Sequence, residues 1–133
     1  MRSPLLAALA LGLAAPVQAQ TWNCNDPDNL PQQGMNYCAH QDFKAADAKL
    51  NAVYKRARAR LREADSYAPD NMIGGADALL EAQRAWIAFR DKACRAEGWL
   101  FRGGTMEPLI VSTCLTKQTE RRIKDLELLA ENM

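Results

Sequence analysis

The constraint that most narrows the possible folds is the spacing of apolar residues. Met35, Ala39, Phe43, Ala46, Leu50, Val53, Tyr54, Ala57 and Leu61 recur at steps of three and four. Such steps place all of them on one side of a helix of roughly seven turns. Lys44, Lys49, Lys55, Arg58 and Arg62 fall mostly off that side. Residues 66–75 break the pattern with Pro69 and Gly74-Gly75. A second stripe then collects Leu79, Leu80, Gln83, Trp86, Ile87, Arg90 and Cys94. Asp77 reads as its N-cap and Gly98 as its end. Residues 99–113 read as a connector containing Gly103-Gly104 and Pro108. A third stripe, Leu115, Thr119, Arg122, Ile123, Leu126 and Leu129, predicts a helix from about Thr113 to Ala130. No run shows strand-like alternation of useful length. Amphipathic helices of this size must bury their stripes against one another. Short connections favour antiparallel neighbours, so the expected fold is an all-α, antiparallel three-helix bundle.

The start of the chain predicts a compartment. Met1-Arg2-Ser3 is a short basic opening, Leu5 to Val17 is uncharged and apolar, and Val17-Gln18-Ala19 ends the stretch with small residues. This is the pattern of a secretion signal over residues 1–19, cleaved after Ala19. The apolar run has 13 residues, whereas a helix that spans a bilayer needs about 20. The expectation is a periplasmic or secreted product with no membrane span after cleavage. No Cys directly follows Ala19, so a lipid anchor is not expected. The remainder, 20–133, reads as a single helical domain.

An oxidising compartment turns an even number of cysteines into disulfides. Cys24, Cys38, Cys94 and Cys114 allow three connectivities. In an up-down-up bundle Cys38, Cys94 and Cys114 share one pole, and the polar segment 20–34 brings Cys24 to it. The preferred pairs are Cys24–Cys38 and Cys94–Cys114, since both close short loops. Each would contribute about 3 kcal/mol on a loop-entropy account. A Cys38–Cys94 bridge across the first two helices is the competing arrangement.

Charge excludes some partners. The 133-residue chain carries 17 Lys and Arg against 16 Asp and Glu, and Arg2 leaves with the signal. A neutral domain has no global field to draw it onto nucleic acid. Arg56, Arg58 and Arg60 alternate with alanines on a helix whose charges read as solvated. Catalytic constellations are also missing. His40 is the lone histidine, with no companion for a metal site and no motif around Ser66 or Ser112 for a nucleophile. Nothing marks Asp42, Asp47 or Glu81 as a general acid. The expectation is no catalytic residue, no metal and no cofactor.

Two groups of residues remain as candidates. Asn51, Gln83, Trp86, Arg90, Thr119 and Arg122 place polar groups on or beside the apolar stripes. They read either as a buried network that fixes helix register, with Arg90 near Asp47 or a carbonyl, or as a recognition surface. The second group is the connector, above all Arg102, Gly103, Gly104 and Thr105. Two glycines permit a sharply shaped loop. A Cys94–Cys114 bridge would clamp its base and lower the ordering cost of binding. Alternatively Trp99, Leu100 and Phe101 simply cover the pole of the bundle.

Several of these residues form a recognisable set. Cys24, Met35-Asn36-Tyr37-Cys38 and Ala46-Asp47-x-x-Leu50-Asn51-x-x-Tyr54 resemble the first part of the LprI-type lysozyme-inhibitor domain. Gln83-Arg84-x-Trp86-x-x-x-Arg90-Asp91-x-x-Cys94 is similar to its central signature. Gly103-Gly104-Thr105, Cys114 and Thr119-x-x-Arg122-x-x-x-Leu126 resemble its third part. The resemblance covers residues 24 to 130. It implies an exported, disulfide-bonded helical domain whose partner is a lysozyme or another cell-wall hydrolase. Such an inhibitor would occlude the carboxylate-lined cleft of the glycosidase, with Arg102 or Thr105 as donor. The alternative is an envelope interaction or immunity protein against another secreted toxin.

Overall fold

The computed structural model describes residues 21–131; the signal-like segment 1–19 lies outside them. Three helices carry the fold: α1 Gln32–Tyr67, α2 Gly75–Gly98 and α3 Glu107–Glu131. Short 3-10 turns at Pro27–Asn29, Asp70–Met72 and Trp99–Phe101 fill the connections. No strand occurs among the described residues. At 1.5 Å per residue α1 is roughly 54 Å long, well beyond the other two.

The three stripes meet as their spacing requires. Leu50, Val53 and Ala57 of α1, Leu79 of α2, and Ile123 and Leu126 of α3 form the buried core. Tyr54, Leu61, Trp86 and Leu129 pack around it. Full burial of a side chain such as Leu126 contributes about 1.5–3 kcal/mol. The most extensive pairing is between α1 and α3, and α2 lies against the two of them.

Both disulfides gather at one pole. Cys24–Cys38 ties the N-terminal segment to the first turns of α1, with Cα atoms 5.5 Å apart. Cys94–Cys114 joins the end of α2 to α3 at 5.4 Å. These are the pairs that close short loops, and no cysteine is free.

Two boundaries differ from the sequence reading, and a third falls where expected but for another reason. First, α3 starts at Glu107, several residues before Thr113. Pro108 sits in its first turn, where a proline has no hydrogen bond to lose. Second, Asp77 does not cap α2. The helix begins at Gly75 after Gly74, whose φ is +135°. Its free N–H groups are met by a side chain from the end of α1. Asp65 accepts hydrogen bonds from the backbone N–H of Gly74 at 3.1 Å, Gly75 at 2.9 Å and Ala76 at 3.0 Å. These bonds, from Ala76 first and then Gly75 and Gly74, hold the Asp65 carboxyl below the ordinary aspartate value. Third, α2 does end at Gly98, but not through a left-handed cap. Gly98 remains helical at φ −68°. A Cβ there would lie 2.5 Å from Val111 Cγ2. Glycine is needed because α3 passes too close for a side chain.

Candidate functional site

The polar residues of the stripes converge between the helices. Arg90 of α2 is only 6 % exposed. Its Nη1 donates to Asp47 Oδ1 of α1 at 2.8 Å and to Thr119 Oγ1 of α3 at 3.2 Å. Its Nε donates to Asp91 Oδ1 at 2.9 Å. The guanidinium also lies 5.1 Å from the ring centroids of Phe43 and Trp86, within cation–π range. One turn along, Arg122 Nε donates to Gln83 Oε1 at 3.0 Å, and its guanidinium lies 5.9 Å from Trp86. Gln83, Trp86, Arg90, Thr119 and Arg122 therefore form one cluster, with Asp47 as the acidic partner. Asn51 does not join it. It is exposed on α1, because the residue after Leu50 is turned about 100° away from the stripe.

Chemically, this cluster is turned inward. Each helix contributes at least one hydrogen-bonding group to Arg90, so a slip of one helix would break charged bonds. A buried guanidinium without acceptors is costly, and here Asp47, Asp91 and Thr119 supply them. The geometry matches a joint between helices rather than a place for a ligand. The register role is the simplest reading of these bonds.

The connector has the opposite character. The Trp99–Phe101 turn is followed by Gly103 at φ +79°, a conformation that side chains rarely adopt. Gly103 N–H donates to Glu107 Oε2 at 2.9 Å, and Gly104 N–H to the Phe101 carbonyl at 2.9 Å. Asn36 Nδ2 of α1 donates to the Thr105 carbonyl at 2.9 Å. The loop is thus tied at both flanks while its side chains face outward. Arg102, Gly103, Gly104 and Thr105 are all exposed. Trp99, Leu100, Phe101 and Met106 are exposed as well, Leu100 by 86 %. The Arg102 guanidinium stacks over the Trp99 ring at 3.9 Å from its centroid. Leu100 and Trp99 leave more than half of their surface to solvent, while Phe101 and Met106 are more than half covered, so the segment both closes the pole and presents apolar surface outward.

A groove that no sequence pattern marks runs between α1 and α3. It has a volume of about 700 Å³, and Asp42, Lys49, Glu120, Lys124 and Glu127 stand along it. Lys49 pairs with Glu127 at 3.7 Å. Its charges are of mixed sign, so it favours no single class of ion. Among the described residues no group of three His, Cys, Asp or Glu is placed to hold a metal ion. No described helix is long and apolar enough to cross a membrane.

The profile of the family described as lysozyme inhibitor LprI matches residues 24–126. The chain belongs to the LprI family. The matched span runs from the first disulfide cysteine to the core residue Leu126, and so contains both bridges, the Arg90 joint and the pole loop. An uncharacterised protein of Rhizobium meliloti is 39% identical over 128 residues, covering 94% of this chain and 92% of its own. The uncharacterised protein YecT of Escherichia coli is 30% identical over 78 residues, covering 55% of this chain and 46% of its own. No solved structure matches the chain.

Proposed function

We propose that this LprI-family chain is exported and inhibits a peptidoglycan-cleaving lysozyme by seating its pole loop in the enzyme's cleft. The observation that carries the reading is the loop itself. Trp99, Leu100, Phe101 and Met106 are exposed on a segment whose base is clamped by Cys94–Cys114 and whose flank is held by Asn36. A loop already shaped loses little conformational freedom on binding. Glycosidase clefts hold a pair of carboxyl groups. Arg102 presents a cation at the loop tip, stacked on Trp99, and that pair offers a charge and an aromatic surface of the kind that dominates binding energy. The chain acts by occupying a site, not by breaking a bond.

The disulfides suit export, since such bridges persist outside the cytoplasm. The test is a panel of purified lysozymes assayed on cell-wall substrate with excess oxidised protein. Inhibition of at least one, lost in an Arg102→Ala/Thr105→Ala variant of unchanged thermal stability, supports the reading. Full activity across the panel refutes it and favours a role against another secreted toxin. Recovery of a bound toxin from periplasmic extract would then identify that partner.

A further inference from the structure

A second surface lies on α2, away from the Arg90 joint. The helix turns Leu79, Gln83, Arg90 and Cys94 into the bundle. On its outer side Ala88, Phe89, Lys92, Arg95, Ala96 and Trp99 follow at helical spacing, and all six are exposed. Phe89 is 61 % and Trp99 57 % exposed, unusual for aromatics on a helix packed against two others. Ten residues apart, they stand roughly 15 Å from each other along the helix. Between Lys92, Arg95, Ala96 and Trp99 the surface dips into an open depression of about 500 Å³.

The chemistry of this face narrows its occupant. Its two polar side chains, Lys92 and Arg95, can only donate hydrogen bonds. All else on it is apolar. A neutral sugar, whose hydroxyls need acceptors as well as donors, finds none. Asp91 and Glu97 lie off this face, and exposed Glu81 stands on the same side of α2 but two turns before Ala88. Asp91 is bonded to Arg90 at 2.9 Å, and Glu97 falls on another side of α2. A flat anionic bilayer would meet only the rim of the depression, whereas a narrow convex segment reaches into it. Alanines at 88 and 96 let a backbone approach closely. The aromatic wall is also fixed beforehand, because Arg102 stacks on Trp99 and Gly98 locks the helix end against Val111.

We propose that the outer face of α2 is a docking surface for an acidic, amphipathic segment of a protein partner. Apolar residues of that segment sit against Phe89 and Trp99, and its carboxylates meet Lys92 and Arg95. This mode lays one helix face into a shallow groove, and charge complementarity supplies its selectivity. The face adjoins the pole loop at Trp99 but does not depend on lysozyme inhibition.

The test uses the oxidised full domain against a displayed library of random dodecapeptides, with no lysozyme present, so either reading can fail alone. The recovered peptides are expected to be acidic, with apolar residues at helical spacing. Binding of a synthesised example should fall by about tenfold or more in Lys92→Glu/Arg95→Glu, and weaken with added salt. The same peptide with its acids changed to lysine should bind that variant better than the parent. Both substitutions are at exposed positions, so an unchanged thermal midpoint will show that the fold is intact. Peptides without acidic bias, or affinity indifferent to the charge reversal, overturn the proposal. So do amide shift changes that map away from α2. Phosphatidylglycerol vesicles and soluble polygalacturonate serve as competing ligands. Tighter binding of either, lost in the same variant, overturns the assignment to a protein segment.

Discussion

Asp47 of α1 and Arg90 of α2 meet at 2.8 Å, with the arginine side chain 7% exposed and the aspartate 38%. They are 43 residues apart in sequence, so the contact forms only when the helices dock in one register. Truncation of Arg90 to Ala removes three charged hydrogen bonds and leaves space between Phe43 and Trp86. The expected loss is roughly 3 kcal/mol. Urea unfolding against Arg84→Ala, an exposed arginine on the same helix, is the comparison. Equal losses for the two would contradict the joint described above. Arg90→Lys should recover only part, since an ammonium cannot reproduce the guanidinium fork.

Asp65→Asn tests the tertiary cap of α2. The carboxyl of Asp65 is held below its ordinary value by the N–H groups of Ala76, Gly75 and Gly74. A carboxyl depressed in the folded state adds stability above its unfolded value. That contribution disappears as pH falls through the folded one. The thermal midpoint of Asp65→Asn should therefore lie below the parent at neutral pH. The gap should close in strong acid. A constant gap across the acid range would show that the charge is not the source.

Gly98→Ala should destabilise the domain by about 1–3 kcal/mol through overpacking, because Val111 Cγ2 occupies the space. Gly103→Ala has open space around it but a φ of +79°, so its cost is conformational, about 1 kcal/mol. A paired second change, Val111→Ala, should rescue the first substitution and leave the second unaffected. Differential scanning calorimetry of the four variants separates the two causes.

Tyr54 Oη is buried with no hydrogen-bond partner. Tyr54→Phe removes a group that is desolvated without compensation, so the variant should be as stable as the parent or more stable. A clear loss in denaturant unfolding would mean that the hydroxyl finds a partner in solution.

Helix faces were the part of this molecule most open to inference from sequence. Residues at three and four steps must share a side, and Leu50, Val53, Ala57, Ile123 and Leu126 are buried together as that rule requires. The topology brings the cysteines to one pole but leaves Cys38–Cys94 open as well; the preference for short loops selects the pairs observed, with sequence separations of 14 and 20. A cation inside an apolar stripe needs an acceptor on a neighbour, which leaves Asp47 or a carbonyl as the partner of Arg90; docking of the helices selects Asp47. What stayed hidden depends on contacts between elements. Pro108 looks like a helix breaker unless one knows that it stands in the first turn of α3. The cap of α2 comes from Asp65, nine to eleven residues before its targets, and local capping rules point to Asp77 instead. Asn51 follows the core residue Leu50 but is exposed, because a single step along a helix changes the side that a residue faces. The groove of α1 and α3 arises only from the docking of two helices.

Placing both sulfur bridges at a single end gives this small body a mechanical polarity. The bridged pole holds Cys24, Cys38, Cys94 and Cys114, whereas the far turn between α1 and α2 is fastened without a covalent bond, by Asp65 and by Arg58, which donates to the Ala76 carbonyl and pairs with Asp77. Fraying, proteolytic nicking and fast amide exchange will begin around residues 66–74 and travel inward. The end that carries the pole loop will be the last to give way.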